Sequence, residues 1–223
     1  MIDAVHYNDV EEARDLLKRG ADVNEKDDSG DPALVLAASG GFKDMVILLI
    51  AHKARVDEKD ADGDTSLILA AECGHKEIVA LLIDSGAKVN GKGENADTAL
   101  MCAAYEGQTE VMELLISRGA YINVKNTWGN TALMEAALSG RDEAVKLLIS
   151  QGALIDEKDN NGSTAEELAL DNGYAETAAI LRQVVEERNL VKEKARQAVA
   201  GAKHELIRAH APKLAIKPSP RRK

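Results

Sequence analysis

A pattern 33 residues long recurs through this chain without insertion or deletion, and no other feature restricts its fold as much. Leu34, Leu67, Leu100 and Leu133 fall at that spacing, as do Ala21, Ala54, Ala87, Ala120 and Ala153, and as do Val23, Val56, Val89, Ile122 and Ile155. A fixed period of this length marks supersecondary units that bury their apolar faces only by stacking on one another. In the copy from Asp60 to Lys92, Leu67, Leu69, Ala70 and Ala71 share one helical face, and Ile78, Val79, Leu81, Leu82 and Ile83 form a second helical run. Thr65, Thr98, Thr131 and Thr164 stand where the first helix opens, each with a hydroxyl to accept from an orphan amide; Pro32 takes that place in the first full copy. The second helix should stop at Gly86, as at Gly20, Gly119 and Gly152, with a residue at positive φ. Lys53 breaks that series, which predicts a local cost of about 1–2 kcal/mol if the backbone stays left-handed. Aromatic residues are only 3% of the chain, so the core must be Leu, Ile, Val and Ala, which suits thin stacked helices better than a sheet sandwich.

Thr65, Leu67, Ala70, Ala71, Gly74, His75, Glu77, Val79, Leu81, Leu82, Gly86, Ala87, Val89 and Asn90 resemble the ankyrin-repeat family, and the likeness covers about four-fifths of the chain. The resemblance implies an all-α fold of helix-turn-helix repeats with short β-turn tips, stacked into an α-solenoid whose usual role is binding other proteins. Two departures stand out. The histidine the family usually carries after the helix-opening Leu is replaced by Val35, Ile68, Met101 and Met134. In the third copy Gly93 replaces the usual Asp, and Ala96 replaces the turn glycine seen as Gly30, Gly63, Gly129 and Gly162, which predicts an irregular turn.

In this register residues 1–26 form an N-terminal capping repeat, an incomplete unit with Ala13, Leu16 and Leu17 at helical spacing. Four full repeats follow at 27–59, 60–92, 93–125 and 126–158, and a degenerate C-terminal capping repeat at 159–187. Terminal repeats need polar outer faces, which Glu166, Glu167, Asp171 and Glu176 supply at that end. Leu181, Val184, Val185, Val191, Ala195 and Val199 continue a three- and four-residue spacing, which predicts an extended C-terminal helix over 188–211. Residues 212–223 hold three prolines and no apolar period, and are expected to be a disordered basic tail.

The net charge of -10 conceals an asymmetry. Residues 188–223 carry 11 Lys and Arg against 2 Asp and Glu, leaving 17 basic and 36 acidic residues in the first 187. The basic tail is therefore a candidate for intramolecular contact with the acidic body. Its competing readings are a nucleic-acid or anionic-surface binder, a nuclear-import segment, or simply a soluble end. Without Trp, Tyr or Phe it has nothing to stack on bases. Cys73 and Cys102 lack metal-ligand spacing and are expected to be reduced packing residues in a reducing, cytoplasmic compartment. No signal peptide and no membrane span are expected.

No catalytic constellation is visible. The five histidines are scattered, the Gly91 to Gly93 cluster lacks the strand and third glycine of a phosphate loop, and no cofactor or metal is expected. The resemblance implies that a protein partner meets the concave side, built from the turn tips and the exposed end of each first helix. Carried over by register, the favoured partner-binding residues are Tyr105, Trp128, Leu138, Asp62, Asp64, Glu72, Glu94, Asp97, Glu106 and Asn130. Trp128 is the only tryptophan and falls on a turn tip; large amphipathic side chains there are typical anchors of binding energy. The acidic members would speed encounter with a basic partner segment and repel nucleic acid.

Overall fold

The computed structural model describes residues 1–210. They divide into two compact units, Met1–Arg182 and a second from Gln183 onward. The helices are α1 (Ile2–His6), α2 (Val10–Lys18), α3 (Ala33–Ser39), α4 (Lys43–Ala51), α5 (Ser66–Glu72), α6 (Lys76–Asp84), α7 (Ala99–Glu106), α8 (Thr109–Ser117), α9 (Ala132–Leu138), α10 (Asp142–Ser150), α11 (Ala165–Asp171) and α12 (Ala175–His210). In the first unit the odd-numbered helices form one row, with α3, α5, α7 and α9 each packed on the next and α11 on α9; α2, α4, α6, α8 and α10 form a second row. No strand occurs among the described residues. Only isolated bridges, Lys26 to Pro32, Lys59 to Thr65 and Lys92 to Thr98, close the turns.

The local chemistry explains why helices start where they do. Thr65, Thr98, Thr131 and Thr164 each accept at 3.4 Å from the amide three residues on. Glu167 completes a capping box by accepting from the Thr164 amide at 2.8 Å. Pro32 offers no side-chain cap, and its extended backbone alone leads into α3. The alanine pairs 37/38, 70/71, 103/104 and 136/137 are completely buried, and their small size lets helices of adjacent repeats approach closely. Val35, Ile68, Met101 and Met134, which replace the histidine of the resemblance, are each buried to within 2% of full burial, so apolar packing fills these positions.

The expected left-handed stops are present. Lys53 adopts φ 71° beside glycines 20, 86, 119 and 152 at 89–96°. The irregular third turn expected from Gly93 and Ala96 is not present: Ala96 takes φ 60° where other turns carry glycine, and the Gly93 and Ala96 amides donate to the Asp97 and Gly93 carbonyls at 2.8 and 3.2 Å, as the Asp60 and Gly63 amides do one repeat earlier. The N-terminal cap is more complete than expected: α1 is a shortened first helix, anchored by Ala4 and Val5 at 1% and 0% exposure. The C-terminal helix runs on as expected to His210. In the second unit Leu190, Val191 and Val199 are exposed. The expectation for 212–223 lies outside the described residues. No helix among the described residues is long and apolar enough to cross a membrane.

Polar links between repeats recur at the sequence period. Lys26, Lys59, Lys92 and Lys125 each donate through Nζ to the backbone carbonyl of the lysine 33 residues on, at 2.8–3.2 Å. The side-chain oxygens of Asn24, Asp57, Asn90 and Asn123 accept from amides of the next repeat at 2.8–3.0 Å. His75, Gln108 and Arg141 reach back to the carbonyls of Ser39, Glu72 and Tyr105. These ladders fix the register of the stack, and hence the alignment of the inner helices that carry the site.

Candidate functional site

The site begins with the first residue of each turn. Asp27 and Asp159 each hold two turn amides on one carboxylate oxygen, and Asp60 holds the Asp64 amide. In the fourth copy that residue is Asn126, whose Oδ1 accepts from Trp128 and Asn130 in the same manner. Its amide nitrogen then does what an aspartate cannot: it donates to Asp97 Oδ1 and to Glu135 Oε1, both at 2.8 Å. In the third copy the residue is Gly93, where a Cβ would lie 1.9 Å from Asp64 Oδ1. Both departures from aspartate make room for other carboxylates.

Those carboxylates converge on the inner-helix row. A pocket of about 190 Å³ is lined by Glu72 from α5, by Met101, Cys102 and Tyr105 from α7, by Glu135 from α9, and by the tip residue Asp97. Glu135 is 9% exposed and stands in the column of Leu36, Leu69 and Cys102, so a charge occupies a core position. Asn126 and Asn130 both donate to its Oε1, at 2.8 and 3.0 Å. Among the described residues no donor reaches Oε2, and no ion pair involves Asp64, Glu72, Asp97 or Glu135.

The electrostatics follow from burial and like charge. Burial pushes Asp64 up to about 6, with further push from Asp60, Glu72 and Asp97. Glu72 is raised by burial and by Glu106. Burial raises Asp97 against the opposing Asn126 hydrogen bond and the Lys92 charge. Burial also raises Glu135, partly offset by its two asparagine donors. The Cys102 thiol is pushed well above its ordinary range by burial and then by four surrounding carboxylates, which makes it a poor nucleophile. Among the described residues no grouping of His, Cys, Asp and Glu is arranged to hold a metal ion.

The ten sequence-derived residues separate into groups. Glu72, Asp97 and Tyr105 meet at the pocket, and Asp64 is coupled to two of them by charge. Glu106 lies beside Glu72 and pairs with Arg141 at 3.5 Å. Trp128 and Tyr105 are 51% and 46% exposed. Asp62 and Glu94 are exposed on the tips, and Leu138 is half-buried. Asn130 differs: it is 7% exposed and holds Glu135, so it braces the site from beneath instead of presenting to a partner. Glu135, Asn126 and Met101 were missed. The signal for Glu135 was available as a lone acid in a column of Leu36, Leu69, Cys102 and Leu168.

The sequence matches the family described as ankyrin repeats (3 copies), over residues 1–93, 57–126 and 100–190. A comparison with curated proteins finds no match. Stacked helix pairs, threonine-capped inner helices and left-handed stops at a 33-residue period agree with that match. The chain belongs to the ankyrin-repeat family.

Proposed function

We propose that this chain is a non-catalytic interaction module, an adaptor or regulator, that binds a protein partner with a basic segment on the face formed by its turn tips and inner helices. Ankyrin repeats are in general protein-binding modules, and the observation that carries the specific reading is the unpaired acidity of that face. Asp64, Glu72, Asp97 and Glu135 converge there without a cation in ion-pair range among the described residues. A one-signed field over partly buried groups steers and orients a basic partner. Exposed Tyr105 and Trp128 flank it with large amphipathic surface of the kind that supplies binding energy.

The test is affinity capture from the native cell's lysate with three baits: the intact chain, residues 1–187, and a Tyr105→Ala, Trp128→Ala double variant. The reading predicts basic protein partners retained by 1–187 and lost from the double variant. An identical set captured by the double variant would overturn it, and loss confined to 1–187 would move the function to the basic C-terminal segment.

A further inference from the structure

We propose that the pocket between α5, α7 and α9 is a subsite for one arginine side chain of the partner, with Glu135 at its floor, Asp97 and Glu72 at its sides and Tyr105 as a stacking wall. The inference deepens the protein-binding reading of the same face and rests on it. Three observations carry it, and they are independent of the general acidity of the chain.

The first is the buried carboxylate. Glu135 is about nine-tenths buried and lines the pocket, yet its two donors are neutral asparagine amides and both go to Oε1. Oε2 receives no donor among the described residues. Burying a carboxylate is costly unless a cation and further hydrogen bonds accompany it. The protein supplies half of that requirement and leaves the other half open to the pocket.

The second is shape and lining. About 190 Å³ corresponds to roughly six water volumes, enough for the seven heavy atoms of an arginine side chain. Met101 and Cys102 give the stem an apolar surface, and Tyr105 gives a planar cation a ring to lie on. The third is the arrangement of acceptors. Carboxylates from two inner helices and one turn tip suit a planar fork of five N–H donors better than a compact, strongly hydrated ammonium. A metal ion is a poor alternative, since no described grouping of acids and histidines has metal-holding geometry.

The groups facing the pocket are Glu72, Asp97, Glu135, Cys102 and Tyr105, with Asp64 and Glu106 acting through their charge and Lys92 opposing at Asp97. Because burial raises Glu72, Asp97 and Glu135 from their ordinary values, occupancy should strengthen as rising pH ionises them.

The probe is N-acetyl-arginine N-methylamide, titrated into the full chain while the Met101 methyl and Tyr105 ring resonances are followed by NMR. The citrulline analogue, which keeps the shape without the charge, and the lysine analogue serve as comparisons. So small a ligand should bind at about 1–10 mM. The expected result is saturable shifts with the arginine probe and a response at least about tenfold weaker with citrulline. Glu135→Gln keeps the acceptor for both asparagines and should weaken binding about tenfold, an effect of about 1.4 kcal/mol. Glu72→Gln, at an exposed position, should weaken it less. Equal response to citrulline, no saturable shift through about 50 mM, or unchanged affinity in both variants would overturn the subsite. Equal affinity for the lysine analogue would overturn the guanidinium assignment. A silent pocket together with partners lost from the Tyr105→Ala, Trp128→Ala bait removes the subsite and leaves the interaction module standing. A responsive pocket with an unchanged captured set leaves a guanidinium site standing but overturns its assignment to the captured partner.

Discussion

Acidic side chains meet two different fates on this molecule. Along the edge where repeats are laced together, Glu58 lies between Lys26 and Arg55 at 3.3 and 3.6 Å, Glu157 is 2.7 Å from Lys125, and Asp57 is 3.5 Å from Lys88. The same lysines 26 and 125 also donate to carbonyls one repeat away, so charge on this edge is matched locally and serves the stack. On the inner-helix face Asp64, Glu72, Asp97 and Glu135 have no such partners among the described residues, and burial raises all four. One sequence period builds both regions. Net charge therefore does not describe this surface: what distinguishes the two regions is whether the repeat places a cation in ion-pair range of each acid, and for Asp64, Glu72, Asp97 and Glu135 it does not.

The sharpest way to break this contrast is Asn126→Asp, which restores the residue that Asp27, Asp60 and Asp159 supply in other copies. It removes both donors to Asp97 and Glu135 and sets a third carboxylate between them. We expect a loss of about 3 kcal/mol at pH 7.5 by chemical denaturation, partly regained at pH 5. A variant as stable as the parent at both pH values would mean that the asparagine does not hold the acids together.

Glu135→Gln tests the same region with opposite sign. A carboxyl whose pKa is raised in the folded state disfavours folding once ionised, so removing the charge should stabilise the protein at pH 7.5, and by less as the pH falls and the parent's carboxyl takes up its proton. The parent itself should show the matching trend. Asp64 titrates at about 6 when folded and at 3.8 as a free group, so the folded state binds more protons between these values. This cluster's contribution to stability is thus lowest above pH 6 and improves as pH falls from about 6 towards 4. Thermal melts that decline steadily from pH 7.5 to 5 in the parent, and identically in Glu135→Gln, would contradict it.

Lys53→Gly calibrates the scale, because its site belongs to neither region. At φ 71° the lysine pays a left-handed penalty of about 1–2 kcal/mol, from which the added freedom of a glycine in the unfolded chain subtracts about 0.4–1 kcal/mol. A net gain of about 0.5–1 kcal/mol is expected, read as a higher melting temperature. The smallest effect belongs to the laced edge. Lys59→Met removes one exposed donor to the Lys92 carbonyl at 2.8 Å, and should cost about 0.5 kcal/mol. A loss comparable to that of Asn126→Asp would reverse the ranking of the two regions.

The repeat, its helices and its stops were legible because each is a local rule written four or five times: a threonine before an apolar run, an alanine pair, a glycine or strained lysine after the second helix. Lys26, Lys59, Lys92 and Lys125 were equally periodic in sequence, but their role depends on a carbonyl one repeat away, which no single copy reveals. The acidic face was half legible. Asp64, Glu72 and Asp97 could be placed by register, whereas Glu135 was hidden in a core column and Asn130 was assigned to the surface that it braces from beneath. Gly93 read as a mere irregularity until the Asp64 carboxylate was found in the space a side chain would fill. Exceptions to a repeat carry the information about its site, and their meaning lies in contacts between copies.

The most direct measurement is a carbon-13 titration of the Asp64, Glu72, Asp97 and Glu135 carboxyl groups, repeated with N-acetyl-arginine N-methylamide at saturating concentration. The account predicts raised midpoints in the free protein, with Asp64 at about 6, and a fall at Glu72, Asp97 and Glu135 when the guanidinium is seated among them. Ordinary carboxylate midpoints in the free protein, or raised midpoints indifferent to the probe, would contradict it.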